Sequence, residues 1–219
     1  MESIQQRPRE LPIVGGHLAL DFANTVDDPL GPARHDHVAS YPDLIGWAVR
    51  SCAIDSKTAA TLLASAVDDP AAAAAALESA HRLRDVLNDI FGAVVDHETG
   101  ALEHWTELRR FAASAVARST LDGTDRKTLR WIRNGDTEDL ALVLHPIALA
   151  ATELLTSADL SRVKRCARCP WLFLDNSKNH SRRWCDMNDC GRAQKIERYV
   201  ARRAARQQAV GRRNQPRGG

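Results

Sequence analysis

The chain has no apolar run long enough to span a bilayer. Its most hydrophobic stretch, LALVLHPIALAATELL, is cut by His145 and Pro146, short of the roughly 18 unbroken residues that a membrane helix needs. Met1 is followed by ESIQQRPRE, which lacks the apolar centre of a secretory leader. The expectation is a cytoplasmic protein with no membrane partner. Cysteine is nearly absent outside one short segment: Cys52 stands alone among apolar residues and reads as a buried core thiol. Also missing are a nucleophile elbow, a phosphate loop, a dinucleotide fingerprint, an HExxH pair and paired catalytic carboxylates. Gly15-Gly16 is a bare pair without the downstream glycine of a cofactor loop. A non-enzyme is therefore expected. Aromatics are few, at 5%, yet 44% of the residues are hydrophobic, enough for a core that needs no disulfide scaffold.

What the chain does have is a lopsided charge. Residues 1–161 carry 14 Lys+Arg against 24 Asp+Glu, a balance of −10, and residues 162–219 carry 16 against 4, a balance of +12. An acidic body joined to a basic C-terminal quarter predicts that only the latter meets a polyanion.

Helix signals dominate the first two thirds. Leu18, Phe22 and Val26 recur at helical spacing within HLALDFANTV, although Leu18, Leu20 and Phe22 would equally suit a strand. Residues 27–39 read as a polar loop rich in Pro and Gly. Ser40 with Asp43 and Pro42 predicts a helix to about Ser51, and Asp55 one from about Ser56 to Val67. Asp69 followed by Pro70 opens an alanine-rich helix to about Val95, alanine having the best intrinsic propensity. A further helix is expected over about Ala101–Ser119, a short strand at TLRWIRNGD, and helix from Glu138 to Thr156 broken at Pro146.

Four of the five cysteines fall within 25 residues, as Cys166-x2-Cys169-x15-Cys185-x4-Cys190. Zinc prefers four thiolates in a tetrahedron, and two short-spaced pairs can supply them. WLFLD (171–175) alternates large apolar residues, NSKN (176–179) is turn chemistry, and SRRWC (181–185) is expected to return as the second strand of a hairpin. Four sulfur ligands leave no open position for water, so one structural Zn2+ is predicted at Cys166, Cys169, Cys185 and Cys190.

The same segment carries a resemblance. CxxCxWLFLDxSxNxSRRWCxMxxC, with Trp171, Phe173, Asp175, Ser177, Asn179, Arg182, Arg183, Trp184 and Met187 in place, closely resembles the CGNR zinc-finger family over about residues 157–205. The name motif appears here as Cys190-Gly191-Arg192-Ala193, a departure that leaves the ligands untouched. Upstream, GGHLALDFANTVD resembles the opening of the ABATE domain that usually precedes this finger. Such proteins are regarded as candidate bacterial transcription regulators induced by stress, so the resemblance implies DNA binding by the finger.

The residues lead the same way by themselves. On a helical wheel of 192–207, Ala193, Ile196, Val200 and Ala204 fall within about 80° of one another, a stripe expected to pack on the hairpin. Arg192, Lys195, Arg198, Arg202, Arg203 and Arg206 fall together in an arc of about 140° outside that stripe, with Tyr199 among them. Arg can pair bidentately with phosphate or guanine, and a helix fits the major groove. Lys178, Arg182 and Arg183 would add backbone contacts. Double-stranded DNA is the expected partner, with structured RNA or non-specific nucleic acid as the alternative.

The fold class expected is mainly α with a small β component. A helical N-terminal domain for sensing or association, 10–156, is followed by a small treble-clef-like or zinc-ribbon-like module (knuckle, β-hairpin, helix), 157–208. A disordered basic tail, 209–219, ends the chain. His17, Asp21, Asn24 and Thr25 form a candidate effector pocket for a small molecule, though Asn24 and Thr25 equally suit tying down their own helix. His35-Asp36-His37 offers either a second metal site or a solvated loop. A homodimer would present paired helices to paired half-sites. A nucleoid-associated cytoplasmic location follows from the DNA partner.

Overall fold

The computed structural model describes residues 11–27, 35–122, 130–133 and 139–213, with backbone alone for 130–133 and 206–213. A short helix α1 (Leu18–Ala23) opens the fold, with the His17 ring accepting from Ala19 N at its start. The helical reading of this motif holds only to Ala23. Beyond it, β1 (Val26–Asp27) pairs antiparallel with β2 (His35–Asp36).

Local capping sets the next three helices. Ser40 accepts from Asp43 N ahead of α2 (Tyr41–Arg50), and Asp55 from Thr58 N ahead of α3 (Ser56–Asp68). Asp69 accepts from Ala72 N ahead of α4 (Pro70–Val95). Each satisfies a donor that the first turn leaves without an intrahelical partner. The alanines of α4 let neighbouring backbones approach, and its later turns bury Leu83, Leu87, Ile90 and Phe91. Phe22 and Trp47 meet with ring centroids 5.0 Å apart near the middle of this core.

Helix α5 (Leu102–Ala117) leads into an antiparallel pair, β3 (Ser119–Asp122) with β4 (Arg130–Arg133). A 3-10 turn (Leu140–Leu144) then runs into α6 (His145–Thr156). The break falls at Pro146 because its ring cannot sit inside a continuous helix but suits the first turn of a new one. No described helix is long and apolar enough to cross a membrane.

A second 3-10 turn (Ala158–Arg162) enters the cysteine-bearing part. There β5 (Val163–Arg165) pairs antiparallel with β6 (Leu172–Leu174), so that Val163 faces Leu174 and Arg165 faces Leu172. The expected hairpin thus exists, but its partner differs. Residues 181–185 form no strand; they return as a loop tied by side chains. The buried Asp175 carboxylate accepts from Arg182 N, and Ala167 N donates to Arg183 O. A π-helical turn (Met187–Gly191) leads into α7 (Arg192–Arg213). That helix continues past residue 208, and the last part of the expected tail, 214–219, lies outside the described residues.

Alternation along β6 places one strand in two cores. Leu172 and Leu174 join the main helical core, whereas Phe173, on the other face, packs with Cys166, Cys185 and Cys190. A two-residue period puts neighbours on opposite faces. The α1 and α4 side of the body covers the hairpin, so the Ile196–Val200 stripe of α7 is not needed there. Ile196 and Val200 are 53% and 58% exposed, which corrects the packing expected for them. Cys52 is likewise exposed, not buried. It follows the end of α2 in a left-handed conformation (φ 59°) while Ala53 N closes back on Ala48 O, a helix-ending geometry that projects its side chain outward.

Candidate metal centre and nucleic-acid interface

The knuckle brings the first two cysteines together because Cys166 N donates to Trp171 O at 2.8 Å, folding residues 166–171 into a tight turn. The loop through 181–185 returns the third, and the π-helical turn supplies the fourth. Asp186 caps that turn by accepting from Asn188 N. The four sulfurs lie within 4.8 Å of one another. Cys169 and Cys185 are 3.5 Å apart, and Cys190 stands 3.8 Å from each. A tetrahedron with metal–sulfur bonds of about 2.3 Å has edges of about 3.8 Å, so the cluster has the dimensions of a closed zinc site.

Electrostatics agree. Hydrogen bonds from Cys169 and Cys185 hold the Cys166 thiol far below its ordinary value. The bond to Cys166 pushes Cys169 up to about 12, and Cys185 is raised by the same neighbour. Burial raises Cys190. Sulfurs this close oppose one another's charge, and four thiolates side by side call for a cation among them. One structural zinc fits this donor set, with no position left for a reacting water.

Asp175 anchors the loop over the metal centre. It is fully buried and accepts from Lys164 Nζ at 2.6 Å, from Ser177 N and Oγ, and from Arg182 N. Burial works against its charge, yet the Lys164 and Ser177 hydrogen bonds win and hold the carboxyl well below the usual carboxylate range.

Arg182 is placed differently from its expected role on DNA. Its guanidinium lies 4.6 Å over the Phe173 ring and donates to the carbonyls of Val14, Trp184 and Cys185. Three internal acceptors remove it from the set free to meet phosphate. Lys178 and Arg183 are exposed, as are Arg192, Lys195, Arg198, Arg202 and Arg203 along α7. The side chain of Arg206 lies outside the described residues. Glu197, the one acid of α7, is paired with Arg168, so the charge left unmatched along the helix is positive.

The four residues of the candidate effector pocket do gather at α1, but each holds backbone. Asp21 accepts from Gly15 N at 2.7 Å. A side chain at Gly15 would put its Cβ 2.9 Å from Asp21 N, so only glycine permits that approach. Burial pushes Asp21 up to about 6, against backbone hydrogen bonds from Gly15, Val14 and His17. Asn24 bonds both backbone groups of Leu172, and Thr25 donates to Phe22 O. His17 caps α1, its pKa lowered by burial. Among the described residues, none of the four lines the clefts bordered by α4, α5, α6 and the hairpin region. His35 and His37 stack edge-on at 4.6 Å, and His37 pairs with Asp27 at 2.8 Å. No third ligand joins them among the described residues.

Comparison with known families gives two matches. The ABATE model, described as "Putative stress-induced transcription regulator", matches residues 16–158, well over half of the chain. The chain belongs to the ABATE family. The CGNR zinc finger model matches residues 162–203, the segment that carries all four metal ligands. No curated protein matches significantly.

One ABATE-region residue escaped the sequence reading. Arg84 is 1% exposed on α4 and grips Asp36 with two bonds of 2.7 and 2.6 Å, with Thr25 Oγ1 3.5 Å away. The signal was present: Arg84 sits in register with Ala80 and Leu87 on the apolar face of the ABATE domain's longest helix, where a lone cation needs a carboxylate partner.

Proposed function

We propose that this ABATE–CGNR chain is a DNA-binding transcription regulator and not an enzyme, its zinc module presenting α7 to the duplex. The observation that supports this reading is the exposed row Arg192, Lys195, Arg198, Arg202 and Arg203, with Tyr199 among them, on a helix that begins beside zinc ligand Cys190. Zinc sets the direction in which that helix leaves the body, and guanidinium forks suit phosphates and guanine edges. The N-terminal domain would sense a small molecule or mediate self-association. Cytoplasmic, nucleoid-associated residence follows from this reading.

The test is binding of zinc-loaded protein to the duplex upstream of its own gene, against a scrambled duplex and a structured RNA, across a salt series. About six phosphate contacts give a log–log salt slope of about −5. A preference for the native duplex that survives moderate salt is expected. Equal, steeply salt-sensitive binding to both duplexes removes the regulator reading, and tighter binding to the RNA moves the module to that partner.

A further inference from the structure

The widest cleft described lies where the helical body meets the zinc module, and its volume is about 1020 Å³, at the upper end of ligand-sized pockets. Val94 and Val95 at the end of α4, with Leu160 and Val163, are the apolar part of its lining. Lys164, Arg165 and Arg183 give the lining its positive charge, and no carboxylate is among its described lining residues. Lys164 is committed to Asp175, and Arg165 is joined to Asp96 in an exposed pair that costs little to open. Arg183 sits 5.6 Å over the Trp184 ring and pairs with no carboxylate among the described residues.

Backbone conformation points to the same place. Three described non-glycine residues have positive φ, and two of them, His97 (58°) and His180 (47°), line this cleft. His97 occupies the position just past α4 that favours glycine, with Glu98 N closing back on Ala93 O. Both imidazoles thus border the cleft from a backbone conformation that most side chains avoid.

We propose that this cleft is the effector site of the protein, and that it takes a small amphipathic anion: an apolar ring or chain carrying a carboxylate, sulfonate or phosphate. The apolar body lies on Val94, Val95 and Leu160, and the charged end meets Arg183 and Arg165. Because Arg183 is exposed and is also one of the residues expected to meet DNA, an occupant competes with phosphate for the same guanidinium. That competition rests on the DNA-binding reading; the site itself does not.

The probe is 8-anilinonaphthalene-1-sulfonate, an aromatic sulfonate whose emission rises on apolar surfaces, titrated into the zinc-loaded full chain. Saturable binding is expected, weakened by about tenfold or more in Ala158→Trp, which fills the cleft without changing charge, and in Arg183→Gln. Both positions are exposed, and zinc content and far-UV circular dichroism report folding of each variant. An Ile196→Ser, Val200→Ser double variant should bind the dye as before. Octanoate should displace the dye where inorganic phosphate at equal concentration does not. Unchanged titration in both cleft variants, loss in the α7 variant instead, or displacement by phosphate alone overturns the proposal. Duplex DNA added last separates the two readings. Displacement of dye supports the competition. Failure to displace it, with cleft variants still defective, overturns only the DNA reading at Arg183.

Discussion

Asn24 and Leu172, 148 residues apart, exchange two hydrogen bonds: Asn24 Nδ2 donates to Leu172 O at 2.8 Å, and Leu172 N donates to Asn24 Oδ1 at 2.9 Å. The amide side chain takes the place of a neighbouring strand along the outer edge of β6. Around it, Leu174 N donates to Gly15 O, Trp171 Nε1 to Val26 O and the Arg182 guanidinium to Val14 O. The opening motif of the ABATE domain is thus the seat of the zinc finger.

Asn24→Ala leaves both backbone groups of a buried residue without partners, at about 1–3 kcal/mol each. A loss of about 2–4 kcal/mol in urea unfolding is expected, with faster zinc release to a colorimetric chelator. Unchanged release kinetics would show that the seat does not restrain the finger.

Zinc should be present at one ion per chain, and Cys185→Ser or exhaustive chelation should remove it. Because β6 shares the main core, the helical body feels the loss. A cost of about 3–5 kcal/mol lowers Tm by roughly 10 °C in circular dichroism at 222 nm. A helical signal melting at the same temperature with and without metal would contradict the shared core.

Asp21 should make stability depend on acidity in the unusual direction. Its folded pKa of about 6 exceeds the ordinary 3.8, so its contribution is complete below the unfolded value and is lost as pH rises through the folded one. Relative to Asp21→Asn, the native chain should lose on the order of 3 kcal/mol between pH 4 and pH 7. Urea midpoints for both proteins at the two pH values decide this; parallel curves would mean that Asp21 ionises as an exposed carboxylate does.

Arg84→Met should destabilise the chain by about 3 kcal/mol, since it strands the half-buried Asp36 carboxylate. Asp36, now held below its usual pKa despite burial by the hydrogen bond from Arg84, should then titrate higher. Adding Asp36→Asn should recover part of the loss, and the double-mutant cycle measures the coupling.

Local signals were legible in the sequence. Ser40, Asp55 and Asp69 each bond a backbone N–H within three residues, so spacing alone placed α2, α3 and α4. The metal ligands were legible because a tetrahedron constrains cysteine spacing directly. Distant pairings were not. Residues 163–165 read VKR and carry no alternating pattern, so nothing marked them as the partner of β6 in preference to 181–185. The apolar stripe of α7 was visible on the wheel, but not that α1 and α4 already covered the hairpin. Asn24 announced itself as polar on a short helix; its partner lies at the far end of the chain.

Leu172 and Phe173 are neighbours that answer to different cores, and this bears on how the finger can be handled as a part. Such a module cannot be lifted out as a cassette. A graft from another protein would have to bring leucines that fit this helical body, a backbone edge that fits Asn24, and an arginine that reaches Val14. Finger and platform are therefore a matched pair, and a chimaera joined at residue 160 should fail at the seam before any question of DNA arises.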